Sequence, residues 1–185
     1  MLLDTPVCDF GWKAPDFTLK DPDGKSFRMS DHLGSKGLLI AFICNHCPYV
    51  QAIANRLAED VRELQGLGIN VLAVMSNDYR DYQIDSPPYM AKFARDHGFT
   101  FPYLVDEDQS VGRAYQAVCT PDFFGLNKDG ELQYRGRIDD AGMGIPAGRT
   151  RELVNAMKLI AETEAGPEKQ LPSMGCSIKW SGNYN

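Results

Sequence analysis

Gly37-Leu38-Leu39-Ile40-Ala41-Phe42-Ile43-Cys44-Asn45-His46-Cys47-Pro48-Tyr49-Val50 is the stretch on which the reading of this chain turns. Leu38 to Ile43 is an unbroken apolar run, the pattern of a central strand covered on both faces. A Cys-X-X-Cys follows at once. Val50, Ile53, Leu57, Val61 and Leu64 then recur at spacings of three and four, one apolar stripe of a helix that Gly66 and Gly68 end. The next apolar run, Ile69 to Met75, reads as a second strand. Leu38 to Met75 is therefore a βαβ unit with a cysteine pair at its first strand–helix junction.

Outward toward the N-terminus, Asp16-Phe17-Thr18-Leu19-Lys20 alternates polar and apolar. Asp21-Pro22-Asp23-Gly24 signals a turn and Lys25-Ser26-Phe27 resumes in extended form, which together predict a hairpin. Outward toward the C-terminus, the pattern predicts a polar loop over 76–86 and a helix over 87–97, with Pro87 and Pro88 in its first turn. A strand over 101–105, a short helix over 110–117 and a hairpin folded at Asn127-Lys128-Asp129-Gly130 follow. Thr150 is positioned to cap a last helix that buries Leu153, Met157 and Ile160. The expected organisation is one domain over residues 1–185, with an N-terminal extension (1–12) and a C-terminal tail (166–185).

The chain has 185 residues, 43% of them hydrophobic and 24% charged, with a net charge of −6. That profile fits a soluble globular protein long enough to bury a core without disulfide staples. The acidic balance and the lack of clustered Lys and Arg exclude broad nucleic-acid binding. No segment approaches the ~18 apolar residues of a membrane span. Met1-Leu2-Leu3-Asp4-Thr5-Pro6 lacks the basic start and apolar run of a secretory leader, so a cytoplasmic location is expected. In that reducing setting a close cysteine pair points to catalysis or metal rather than to a structural bridge.

Thiol–disulfide exchange needs a thiolate. The free N–H groups and dipole at a helix start stabilise an anion, and a two-residue spacing lets one thiol displace a mixed disulfide on the other. The expected roles are Cys44 as an exposed nucleophile at the helix start and Cys47 as the resolving thiol. His46 is expected to tune the pair by lowering the Cys44 pKa, which would put the potential above the ~−270 mV of thioredoxin. The alternative for such a pair is half of a zinc site. That would need two more ligands, and His32, His97, Cys119 and Cys176 are scattered along the chain, so no metal site is assigned.

An apolar strand, Cys-X-X-Cys, helix and strand, followed by Thr120-Pro121 before a hairpin, resembles the thioredoxin superfamily. The opening Ala14-Pro15-Asp16-Phe17-Thr18-Leu19, with Asp23-Gly24-Lys25 after it, looks like its peroxiredoxin and thiol-reductase branch. The Cys44-Asn45-His46-Cys47-Pro48-Tyr49-Val50 motif with the ending Gly175-Cys176-Ser177-Ile178-Lys179-Trp180 is similar to a peroxiredoxin-like, AhpC/TSA-type group, over essentially the whole chain. The resemblance implies an α/β thioredoxin-like fold: a central mixed sheet flanked by helices on both faces, with an N-terminal β-hairpin. It also implies a cis bond before Pro121 and substrate contact through the backbone of Thr120. The chain departs from both parent families. With Cys47 matched to the peroxidatic cysteine, the usual Thr is Cys44, the usual Pro is Ile40, and the activating Arg is missing near Thr120. Thioredoxin's Trp before the first cysteine is Ile43, and its buried Asp falls at Leu38.

The function expected is a thiol–disulfide oxidoreductase working through Cys44 and Cys47. Two alternatives stand beside it, a weak thiol peroxidase acting through Cys47 and a non-catalytic zinc- or partner-binding domain. Partners would be a disulfide-containing protein or small molecule and a thiol reductant system; no bound cofactor is called for. Cys176 is the candidate third redox thiol, weighed against a simple tail cysteine anchored by Ile178 and Trp180. Cys119 reads as a buried thiol, and Cys8 falls in an N-terminal segment expected to be mobile. Gly142-Met143-Gly144-Ile145-Pro146-Ala147 mimics a dinucleotide fingerprint, but no βαβ unit follows it. Asp78-Tyr79-Arg80-Asp81-Tyr82 is a polar loop that could rim the site.

Overall fold

A computed structural model describes residues 1–182. In chain order the elements are β1 (Leu2–Asp4), β2 (Thr18–Lys20), β3 (Ser26–Arg28), α1 (Met29–His32), β4 (Leu38–Phe42), α2 (Pro48–Gly66) and β5 (Asn70–Met75). A 3-10 turn (Gln83–Asp85) precedes α3 (Pro87–Asp96), β6 (Tyr103–Val105), α4 (Ser110–Ala114), β7 (Cys119–Thr120), β8 (Asp122–Leu126), β9 (Leu132–Tyr134), α5 (Glu152–Thr163) and β10 (Met174–Ser177).

The main sheet has the order β3-β2-β6-β5-β4-β8-β9. β4 lies at its heart, parallel to β5 and antiparallel to β8. Every residue of β4 is buried, as the continuous apolar run requires. Its side chains alternate between two cores. Leu39, Ala41 and Ile43 join the stripes of α2 (Val50, Ile53, Leu57, Val61, Leu64) and α5 (Leu153, Met157, Ile160). Leu38, Ile40 and Phe42 face the opposite side, with Met29, Val111 and Tyr115. The sheet is thus mixed and covered on both faces, the thioredoxin-like arrangement expected. The predicted N-terminal hairpin is β2–β3, with Leu19 opposite Phe27.

Three local expectations are corrected. Thr150 does not cap α5. Arg151 occupies the cap position, and the Thr150 N–H instead bonds the Asp140 carboxylate at 2.7 Å. The first residues are not a loose extension, because β1 pairs antiparallel with β10. The tail does more than anchor Ile178 and Trp180. It forms the middle strand of a second sheet, β1-β10-β7, with Cys176 opposite Thr120 and Ser177 opposite Cys119. Period-2 alternation needs a longer segment to show, and neither β1 nor β10 exceeds four residues. Ile178 is buried beyond this strand, and the Arg113 guanidinium lies over the Trp180 ring at 4.5 Å.

Candidate active site

The end of β4 delivers Ile43 and Cys44, and α2 begins at Pro48. A proline at the first helical position makes Cys47 the N-cap residue. Cys47, not Cys44, therefore sits at the helix start, and its sulfur receives a hydrogen bond from the Val50 backbone N–H. Cys44 is not exposed either: it is 1% accessible and Cys47 is 0%. Both are free thiols.

Thr120 brings the thiols together. Its Oγ1 lies 3.3 Å from the Cys44 sulfur, and its carbonyl oxygen lies 3.3 Å from the Cys47 sulfur. The Thr120–Pro121 bond is cis, as the resemblance implied. The strand edge of Thr120 that the resemblance reserves for an extended substrate is taken by β10. The thiols of both Cys44 and Cys176 act on the Cys47 sulfur.

This environment splits the pair. The hydrogen bond from Cys44 holds Cys47 well below the ordinary thiol range. Burial opposes that shift, and Cys176 and the Val50 N–H reinforce it. Cys44 is pushed well above the ordinary range by that same hydrogen bond, by burial and by the nearby Asp85 charge. The direction at Cys44 is opposite to the one expected from His46. The Thr120 carbonyl, by contrast, is an acceptor that suits a Cys47 thiol better than a thiolate.

His46 faces a partner that the sequence did not reveal. Its Nδ1 lies 2.5 Å from the Asp85 carboxylate, and its ring stacks on Tyr82 at 5.3 Å. Asp85 is fully buried. It also accepts hydrogen bonds from the backbone N–H groups of Asn45 (2.7 Å) and His46 (3.1 Å) and from the Asn77 amide (3.0 Å). Burial works against its charge, yet the bonds from His46 and Asn77 outweigh it and keep the Asp85 carboxyl below its usual range. Asn45 is fixed in turn by Tyr103, whose hydroxyl donates to its side-chain oxygen at 2.9 Å, and by its own amide donating to the Ile84 carbonyl. The dipeptide between the cysteines is thus tied to the 3-10 turn. Asp85 sits 40 residues from Asn45 in a polar stretch with no motif, so no spacing signal marked it.

A Cys44 sulfur, a His46 nitrogen and an Asp85 oxygen lie within 4.8 Å of one another, enough to hold a metal ion by three of the ligand types zinc accepts. This candidate cluster includes neither Cys47 nor the scattered His32 and His97, so it is not the cysteine pair completed by those histidines. Cys119 is buried, and burial followed by the Asp122 charge pushes its thiol up to about 12. Cys8, half-buried, is raised to about 11, chiefly by burial. Of the predicted rim loop, Tyr82 reaches the site through His46, while Arg80 pairs with Asp78. The loop carrying Gly142 is held by Arg56, which donates to the Gly142 carbonyl.

The AhpC/TSA family pattern matches residues 10–135. Thiol-disulfide oxidoreductase ResA of Geobacillus kaustophilus is 32% identical over 127 residues, which cover 66% of each chain. Peroxiredoxin Bcp of Escherichia coli K12 is 27% identical over 129 residues, 70% of this chain and 78% of that one. The crystal structure of a conserved protein from Geobacillus kaustophilus superposes with a TM-score of 0.93 at 38% identity, covering 98% of this chain and 97% of that one. One from Sinorhizobium meliloti 1021 superposes with a TM-score of 0.90 at 35% identity, over 97% and 98%.

Proposed function

The chain belongs to the AhpC/TSA family, and from that premise we propose that it is a thiol–disulfide oxidoreductase whose working pair is Cys44 and Cys47. The observation that carries the proposal is the convergence of the two buried sulfurs on Thr120, with Cys47 at the N-cap of α2. In this proposal Cys47 is the nucleophile, the reverse of the order expected from the sequence. Its thiolate attacks a substrate disulfide, one substrate sulfur leaves as a thiolate, and a mixed disulfide forms on Cys47. Cys44 then gives up its proton and attacks the Cys47 sulfur, releasing the second substrate thiol and closing the Cys44–Cys47 disulfide. Thr120 holds both sulfurs, and His46 with Asp85 fixes the turn between them. A thiol reductant returns the pair to its reduced form.

A stable Cys47 thiolate favours the reduced form, so the potential is expected above the ~−270 mV of thioredoxin. Titration in glutathione buffers, with thiols trapped and mapped by mass spectrometry, tests this. Cys44 and Cys47 should convert together at one midpoint. If both stay reduced across the whole range, the proposal fails.

Similarity to peroxiredoxin Bcp supports a second reading, a thiol peroxidase acting through Cys47. Among the described residues no arginine hydrogen-bonds either sulfur, so a developing peroxide oxyanion would lack that charged donor. Thiol loss with hydrogen peroxide is therefore expected to be slow. Fast loss at Cys47 alone would favour the peroxidase. Stoichiometric zinc in protein purified without added metal would favour a metal-holding role for Cys44, His46 and Asp85.

A further inference from the structure

The proposed exchange leaves a problem of access. Cys47 is fully buried and Cys44 nearly so, and β10 occupies the Thr120 edge where an extended partner would pair. Cys176 lies on that strand and is only partly buried. It is held in place from several sides. Its register partners are Leu2 on β1 and Thr120 on β7. Gly175 packs so closely that a Cβ there would fall 1.8 Å from the Thr120 carbonyl oxygen. Beyond it, the Ile178 N–H bonds the Val118 carbonyl and the Lys179 N–H bonds the Asn77 side chain. Thr120 thus touches Cys44 with its hydroxyl and Cys47 with its carbonyl, and it faces Cys176 across the sheet.

Resting on the oxidoreductase reading, we propose that Cys176 is a catalytic shuttle thiol, through which the buried Cys44–Cys47 pair exchanges with small disulfides of the glutathione type outside. Cys176, as thiolate, attacks the external disulfide and releases one external thiolate, which takes up the Cys176 proton. Cys47 attacks the Cys176 sulfur, the second external thiolate leaves, and a Cys47–Cys176 disulfide forms. Cys44 attacks Cys47, the Cys47–Cys176 bond breaks, and the proton lost by Cys44 returns Cys176 to its thiol. The external disulfide gains two electrons and becomes one thiol and one thiolate, which takes its proton from water, while Cys44 and Cys47 lose two and become a disulfide. The tail strand fills the position of a bound substrate and carries the sulfur that the substrate would bring.

The shuttle has chemical support in the same contacts. In the reduced protein the Cys176 thiol is raised by burial and by its bond to Cys47, and Lys179 and the N-terminal amine oppose the rise. Cys47, with the lower pKa, is the better leaving group when the relay runs in reverse.

The test follows turnover of a fluorophore-labelled glutathione disulfide with dithiothreitol as reductant, in wild type, Cys176→Ser, Cys176→Ala and Cys44→Ser. Disulfides are mapped by mass spectrometry after acid quench. Both Cys176 variants should lose turnover by about tenfold or more, while the Cys44–Cys47 disulfide still forms in them at equilibrium, with a lower midpoint in Cys176→Ala because the Cys176 side-chain hydrogen bond to Cys47 is gone. Cys44→Ser should accumulate a Cys47–Cys176 disulfide. Wild-type turnover in both Cys176 variants overturns the shuttle and leaves the oxidoreductase reading standing. Cys47–glutathione with no Cys47–Cys176 bond in Cys44→Ser does the same. Absence of a Cys44–Cys47 disulfide from the wild-type protein overturns both.

Discussion

At the scale of single residues, Asp85 and Cys47 are two buried acids whose charged forms are favoured by hydrogen-bond donors against the pull of burial. Asp85 is a buried carboxylate satisfied by four donors, the backbone N–H groups of Asn45 and His46 and the side chains of His46 and Asn77. Replacing it with alanine strands those donors, and the unfolding free energy should fall by about 2 kcal/mol or more in urea titrations. Its folded pKa lies below its unfolded value, so its contribution is complete above about pH 4 and is lost as the pH falls through the folded value. Wild-type stability should therefore drop more steeply below about pH 4 than that of Asp85→Asn; equal slopes would contradict the pKa direction. Cys47 is stabilised by a thiol, a backbone N–H and a helix start. Thiolate absorbance near 240 nm should persist well below the ordinary thiol pKa of ~8.5 and vanish in Cys47→Ser. In Cys44→Ala the titration should move upward, because the Cys44 hydrogen bond is the largest stabilising contact.

At the scale of elements, α2 does two jobs. Its N-terminus presents Cys47, and its middle carries a buried ion-pair cluster that fixes the loop before α5. Asp60 is fully buried and is met by Arg149 at 2.6 Å and Arg151 at 2.8 Å. Arg56, also on α2, pairs with the buried Asp139 at 2.8 Å. Without Asp60, the buried Arg149 keeps Asp139 and the part-exposed Arg151 keeps Glu63, so Asp60→Ala should cost about 3 kcal/mol in denaturant unfolding, the low end for a broken buried pair. The Cys44–Cys47 midpoint should stay where it is in that variant, because none of these groups touches either thiol. A shifted midpoint would show that the cluster also sets the pose of the α2 N-terminus. The positions of α2, β4 and β5 were legible because each repeats its pattern over five residues or more. The strands of the second sheet, of two to four residues, were not.

At the scale of the whole molecule, the two ends of the chain meet at the site. β1 supports β10 on the edge opposite Thr120, and Thr5 ties the start of the tail: its backbone N–H bonds the Ser173 carbonyl, and its hydroxyl accepts from the Ser173 N–H. Deleting residues 1–5 should leave the main sheet intact but raise hydrogen exchange at Gly175–Ser177 by about tenfold or more. Unchanged protection there would show that β7 alone holds the strand. A groove of about 880 Å³ between the β2–β3 hairpin and α4 is lined by Phe17, Lys20 and Val111 and holds none of the cysteines. A smaller one of about 450 Å³ borders the site through Asn45, Tyr89 and His97.

By itself the sequence determined the α/β class, the central strand, the βαβ unit, the N-terminal hairpin and the cysteine pair at a strand–helix junction. All of these rest on periodicity or on residues close together in the chain. Which cysteine caps the helix was read wrongly: Cys44 was expected at the helix start, and the structure puts Cys47 there, ahead of Pro48 at the first helical position. Tertiary structure alone decided which sulfur is held as an anion, how far both are buried, and what surrounds them. Asp85 arrives from a polar loop, Thr120 from 76 residues beyond Cys44, and Cys176 from a strand completed by the opposite end of the chain. Contacts of that kind leave no periodic mark, because they depend on how distant segments pack and not on the local pattern of any one of them.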